Sequence, residues 1–149
     1  MQEFTGGCLC GAVRYRLTGP LADVIACHCT QCRRHTGHYA AHTSVPLESF
    51  QLERDSALAW YRSSREAERG FCRVCGSTLF WRMAAEARAS INEGNLDSPP
   101  TDLPIAEHIY CTAGTLDGPT SVSITEHIFC KYKGDYYEIG DSKPQKEEW

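Results

Sequence analysis

Seven of the nine cysteines in this chain of 149 residues stand in three short groups, "CLC" (Cys8, Cys10), "CHCTQC" (Cys27, Cys29, Cys32) and "CRVC" (Cys72, Cys75). Each group can present its sulfurs to a single ion. In Cys-x-Cys on an extended segment the side chains at i and i+2 share a face, and a Cys-x-x-Cys turn converges its sulfurs through a tight knuckle. Cys10 and Cys75 are each followed at once by glycine, Gly11 and Gly76. Glycine there admits positive φ, which turns backbone N–H groups towards the thiolates and relieves their charge. We read Cys8, Cys10, Cys72 and Cys75 as one closed, four-thiolate structural zinc site that ties the N-terminal strand to a knuckle far along the chain. A one-iron centre has the same donor geometry, and ordinary buried cysteines or disulfides are the bland alternative.

Cys27, Cys29 and Cys32 then remain together without a second pair to close their shell. Three protein ligands and an open fourth position form the pattern of a catalytic zinc site, which gives two zinc ions, one structural and one catalytic. Zinc on three thiolates is a net anion and a weak Lewis acid, better suited to holding a substrate thiolate than to making hydroxide. The expected substrate group is therefore a thiol. Other readings stay open: one of His28, His35, His38, His42, His108 and His127 closes the shell as a second structural site, or the trio is a redox set that forms a disulfide on oxidation. His28 is the poorest of these ligands, because on an extended segment it faces away from its two cysteine neighbours. Cys111 and Cys130 read as core thiols and as the remaining candidates for a fourth ligand. Arg33 and Arg34 follow the trio directly. A guanidinium there balances thiolate charge or forks onto a substrate carboxylate, with a solvated helix face as the alternative, and Arg33 is the residue we assign to ligand binding.

The length suits one domain spanning residues 1–149, and a net charge of −4 argues against nucleic acid as a partner. The N-terminus has no basic leader or signal-length apolar run, and nothing approaches a membrane span, so the expected setting is the cytoplasm, where thiols stay reduced. Short β-like runs dominate: 12–17, 39–45, 50–53, 58–62, 78–82, 127–133 and 135–139. They are punctuated by Gly, Pro, Ser and Asp, which predicts a mainly β protein. Helix is expected for a turn or two after Thr30, and 83–90 suits either a helix or a loop. Segments 94–111 and 114–130 form a near repeat, in which alternation puts Ile109 with Cys111, and Ile128 with Cys130, on one apolar face. The polar tail 141–149 is expected to be loosely held, Trp149 aside.

Taken in order, "GGCLCGAVRY", "ACHCTQCRRHTG", "FCRVCGSTLFW" and "GTLDGP…EHIF" resemble the glutathione-dependent formaldehyde-activating enzyme family, which includes the centromere-protein-V-like proteins. The resemblance implies an Mss4-like fold of several coiled antiparallel β-sheets organised around the four-cysteine zinc site, with little helix. It implies structural zinc on Cys8, Cys10, Cys72 and Cys75 and catalytic zinc on Cys27, Cys29 and Cys32. The implied activity is a carbon–sulfur lyase interconverting S-hydroxymethylglutathione with glutathione and formaldehyde, so the partner is glutathione or another small thiol adduct. Phe129 stands where the family pattern has tryptophan. A non-catalytic zinc scaffold and a thiol redox or zinc-release sensor are the alternative functions.

Overall fold

The computed structural model describes the backbone of residues 1–92 and 105–149, and the side chains of all of these except 90–92. Most of the first repeat copy, 94–104, lies outside the described residues. Among them ten strands form two sheets with two α-helices, which bears out the mainly β expectation. The smaller sheet orders β1 (Glu3–Gly7), β2 (Arg14–Thr18) and β5 (Phe50–Arg54) as β1-β2-β5, all antiparallel. The larger contains β3 (Val24–Cys27), β4 (Ala40–Pro46), β6 (Leu58–Arg62), β7 (Ala67–Cys72), β8 (Thr78–Met83), β9 (His108–Thr112) and β10 (Ile124–Ile128). Its order is β10-β3-β4-β9-β8-β7-β6, antiparallel except where β10 runs parallel to β3. No helix among the described residues is long and apolar enough to cross a membrane.

Alternation along the strands builds the core. In β2, Tyr15 and Leu17 are fully buried while Arg14 and Arg16 face partly outward, as a period of two requires. They meet Val45, Leu79, Phe80 and Ile109 in one cluster. Phe80 sets its ring edgewise against Tyr15 and Phe50, at centroid separations of 5.0 and 5.1 Å, the geometry that ring quadrupoles prefer. Cys8 and Cys72 belong to the same cluster, with Cys75 packed against it and Cys10 exposed, so the first cysteine set sits at the edge of the core.

In the first repeat copy Ile109 and Cys111 are both fully buried, as expected. The second copy departs. β10 ends at Ile128, Phe129 takes a left-handed φ of 55°, and Cys130 opens a short 3-10 turn. Alternation stops there, and Cys130 is only half-buried. The expected strand at 135–139 is absent as well. Its Tyr137 hydroxyl instead hydrogen-bonds His28, and Tyr136 bonds His38 at 2.6 Å. The tail is not loose: the His127 N–H donates to Pro144 O, the Lys146 N–H to His127 O and the Cys130 N–H to Lys146 O, at 2.8 to 2.9 Å. Backbone pairing needs no apolar side chain, so composition gives no sign of it.

Candidate functional site

The four-cysteine set forms where two hairpin ends meet. Cys8 and Cys10 lie on the turn between β1 and β2, Cys72 closes β7, and Cys75 sits in the knuckle before β8. Gly11 and Gly76 take φ of 80° and 77°, the conformation their position after the cysteines called for. Amides do point at sulfur: Val13 N–H donates to Cys8 Sγ at 3.2 Å and Cys75 N–H to Cys72 Sγ at 3.5 Å. Leu9 N–H donates to Ser77 Oγ at 2.9 Å and joins the two turns. The Ser77 hydroxyl, 3.1 Å from Cys75 Sγ, is the main cause that pulls that thiol down to about 5.

A tetrahedron of thiolates around zinc, with Zn–S bonds of about 2.3 Å, has edges of about 3.8 Å. Cys8 Sγ lies 3.6 Å from Cys10 Sγ, which lies 3.8 Å from Cys72 Sγ, and all four sulfurs fall within 4.8 Å of one another. The donor set fits a zinc ion. All nine cysteines are free, so the disulfide reading has no support in the fold.

The trio is built where β3 meets α1 (Thr30–Thr36). Cys27 ends the strand. Cys29 N-caps the helix, its sulfur accepting the Cys32 N–H at 3.3 Å, and Cys32 lies in the first turn. Gly37 ends α1 with φ 82°, its N–H donating to Arg33 O, while Arg33, Arg34 and His35 in the last turn suit the negative end of the helix dipole. The three sulfurs lie within 4.8 Å of one another, and no histidine, carboxylate or further cysteine among the described residues joins them. Thiol contacts among the three lower Cys29 and raise Cys27, as expected where sulfurs this close share their protons.

A guanidinium does meet the trio, from a residue the sequence did not single out. Arg69 on β7, only 4% exposed, donates from both terminal nitrogens to Cys32 Sγ at 3.5 and 3.6 Å, and its Nε is buried without a partner. Arg33 does not line the cavity beside the trio. One helical residue beyond Cys32 turns the side chain by about 100°, and the Arg33 charge acts on Tyr137 instead. Arg34 is exposed.

His28 does face away from its cysteine neighbours. It is buried in a chain in which His28 Nε2 meets His127 Nδ1 at 2.9 Å and His127 Nε2 meets Asp141 Oδ2 at 2.9 Å. Asp141 can only accept there, so His127 donates from Nε2 and accepts at Nδ1 from His28. The other His28 nitrogen then accepts from the Tyr137 hydroxyl. The chain fastens the "CHC" segment to the C-terminal region.

Cys27, Cys29, Cys32, Arg69 and His42 share a cavity of about 670 Å³. His42, on β4, has an edge-on ring contact with Tyr110. Burial pushes its imidazole down to about 4, against an ordinary histidine near 6.5. A base held neutral by the fold adds stability above its unfolded pKa and loses it as pH falls from about 6.5 towards 4, at about 1.36 kcal/mol per pH unit. The parent chain is expected to lose about 2 kcal/mol more than His42→Gln between pH 7.5 and 5.0. Urea unfolding of both proteins at the two pH values checks this, and equal losses would contradict it.

Fold and sulfur geometry together define a β-sheet protein carrying two cysteine-only donor sets fit for metal, one of four sulfurs at the edge of the core and one of three on a cavity. The chain belongs to the glutathione-dependent formaldehyde-activating enzyme family, whose model matches residues 3–113. It is 31% identical over 87 residues to an uncharacterized lyase of Schizosaccharomyces pombe, covering 54% of this chain and 58% of the relative. It is 30% identical over 118 residues to a Halomonas elongata protein provisionally named a glutathione-dependent formaldehyde-activating enzyme, covering 64% of this chain and 69% of that one. The chain thus matches less than two thirds of the first relative's length.

Proposed function

We propose that the chain is a zinc-dependent carbon–sulfur lyase of the cytoplasm, acting on a glutathione–aldehyde adduct such as S-hydroxymethylglutathione. The observation that carries this reading is the open trio: three sulfurs within 4.8 Å, with no fourth protein ligand among the described residues, on the wall of a cavity. Family membership and the lyase name of one relative support the same chemistry. Zinc on Cys27, Cys29 and Cys32 would supply an open coordination position for a substrate sulfur. Arg69 offsets the charge of the trio through its two N–H bonds to Cys32.

Breakdown of the adduct sends the C–S electron pair away with sulfur, forms the C=O bond from the oxygen lone pair, and releases the hydroxyl proton. His42 lines the same cavity; burial holds its imidazole low, so the neutral ring accepts a hydrogen bond from the hydroxyl and orients it while the proton passes to water. The test is two-dimensional exchange NMR on glutathione and formaldehyde with the zinc-loaded protein. Exchange is expected well above the spontaneous rate, and His42→Ala is expected to slow the enzymatic part. Exchange at the spontaneous rate with the parent protein would refute the reading.

A further inference from the structure

The cavity is far larger than a one-carbon aldehyde requires, and the two cationic side chains of its described lining are already engaged. At about 670 Å³ it has the size of a site that engulfs a whole small molecule. Much of its wall is apolar or aromatic, with Trp81, Ile105, Tyr110, Phe129 and Trp149 among the lining residues. These side chains brace one another: Trp81 meets Tyr110 edge-on at 5.5 Å, and Phe129 meets Trp149 at 5.1 Å. Ile105 sits in the second core cluster beside Trp81 and Tyr110.

Glutathione carries two carboxylates and one ammonium, and burying each carboxylate requires a cationic or hydrogen-bonding partner. The cationic side chains of the wall are Arg69 and Lys146. Arg69 is engaged with Cys32 Sγ, and Lys146 is ion-paired with Glu126 at 2.7 Å. Among the described lining side chains Glu66 and Glu126 balance these two cations, and the trio adds negative charge. Such a wall has little net field to draw in a doubly carboxylated tripeptide, whereas its aromatic and aliphatic surface rewards an apolar group.

We propose that this cavity holds an apolar group of several carbons, carried on the aldehyde half of the adduct, while the charged ends of the thiol stay at the mouth in water. The inference rests on the lyase reading above and ranks its substrates: adducts of glutathione with straight-chain or aromatic aldehydes are turned over in preference to the formaldehyde adduct. A single methylene in an apolar pocket changes specificity by about 10-fold or more.

The experiment uses the zinc-loaded full chain and compares enzymatic exchange, each above its own spontaneous rate, for glutathione adducts of formaldehyde, propanal and hexanal. A fourth arm uses the adduct of formaldehyde with hexanethiol. Binding of unreactive 1-hexanol and methanol is followed in parallel through the fluorescence of Trp81 and Trp149. The hexanal adduct is expected to exceed the formaldehyde adduct in kcat/KM by at least about 10-fold, with propanal between. 1-Hexanol is expected to bind at least about 10-fold more tightly than methanol. Trp149→Ala should shrink the hexanal-to-formaldehyde ratio. A formaldehyde adduct turned over as well as the hexanal adduct overturns the inference and leaves the lyase reading standing. Preference for the hexanethiol adduct over glutathione–hexanal overturns the assignment to the aldehyde half. If no adduct is accelerated the lyase reading fails, and the fluorescence still decides the cavity: no difference between the two alcohols overturns the apolar site.

Discussion

Cys72→Ser is expected to leave a chain without a cooperative fold. Cys72 is fully buried, its sulfur lies 3.8 Å from Cys10 Sγ, and its backbone pairs with Leu58 of β6 and donates to Ser77 O in the turn before β8. Structural zinc contributes about 10–16 kcal/mol in small thiolate sites, against a net stability of about 5–15 kcal/mol for a domain of this size. Removing one of four ligands therefore takes away a share as large as the whole margin, and it leaves a serine hydroxyl in the core. Far-ultraviolet circular dichroism and amide NMR dispersion should both report loss of structure. A Cys72→Ser protein that melts like the parent would show that this set does not hold the fold.

Cys29→Ser is expected to do the reverse, keeping the fold and bringing adduct exchange down to the spontaneous rate. Cys29 is half-buried and lies outside the core clusters. Its structural duty is to cap α1, accepting the Cys32 N–H on its sulfur. Serine is a favoured N-cap and takes over that bond. What serine does not replace is the third thiolate, so the loss should appear in exchange and in zinc content and not in melting. Serine retaining full exchange would move the chemistry away from the trio.

Both experiments rest on a division of the cysteines that was legible in the sequence, because spacing encodes local geometry. The knuckle glycines, the extended segment at Cys27 and the helix beginning at Thr30 depend on residues within one turn of each other, and the structure has all three. The run at 58–62 coincides with β6 for the same reason. What sequence could not show is assembled across the chain. Arg69 lies 37 residues from Cys32, in a strand whose Glu68, Arg69 and Gly70 conceal its β character. Nothing local marks it as the partner of a thiolate, whereas Arg33, next to the trio, invited that role. His42 was one of six histidines weighed only as a fourth metal ligand, with nothing local to mark it out, until β4 placed it on the cavity. At Phe129 a left-handed turn ended a strand that hydropathy alone extended to residue 133, since alternation carries no information about φ.

The central claim is that a closed four-sulfur set holds the fold while an open three-sulfur set performs the chemistry. Zinc content per chain, measured on the folded parent and on folded Cys29→Ser by elemental analysis, tests it most directly. Two zinc ions in the parent and one in the variant, with unchanged circular dichroism, is the expected result. One ion in both proteins would empty the trio of its role, and unfolding of Cys29→Ser with loss of all zinc would make the trio structural.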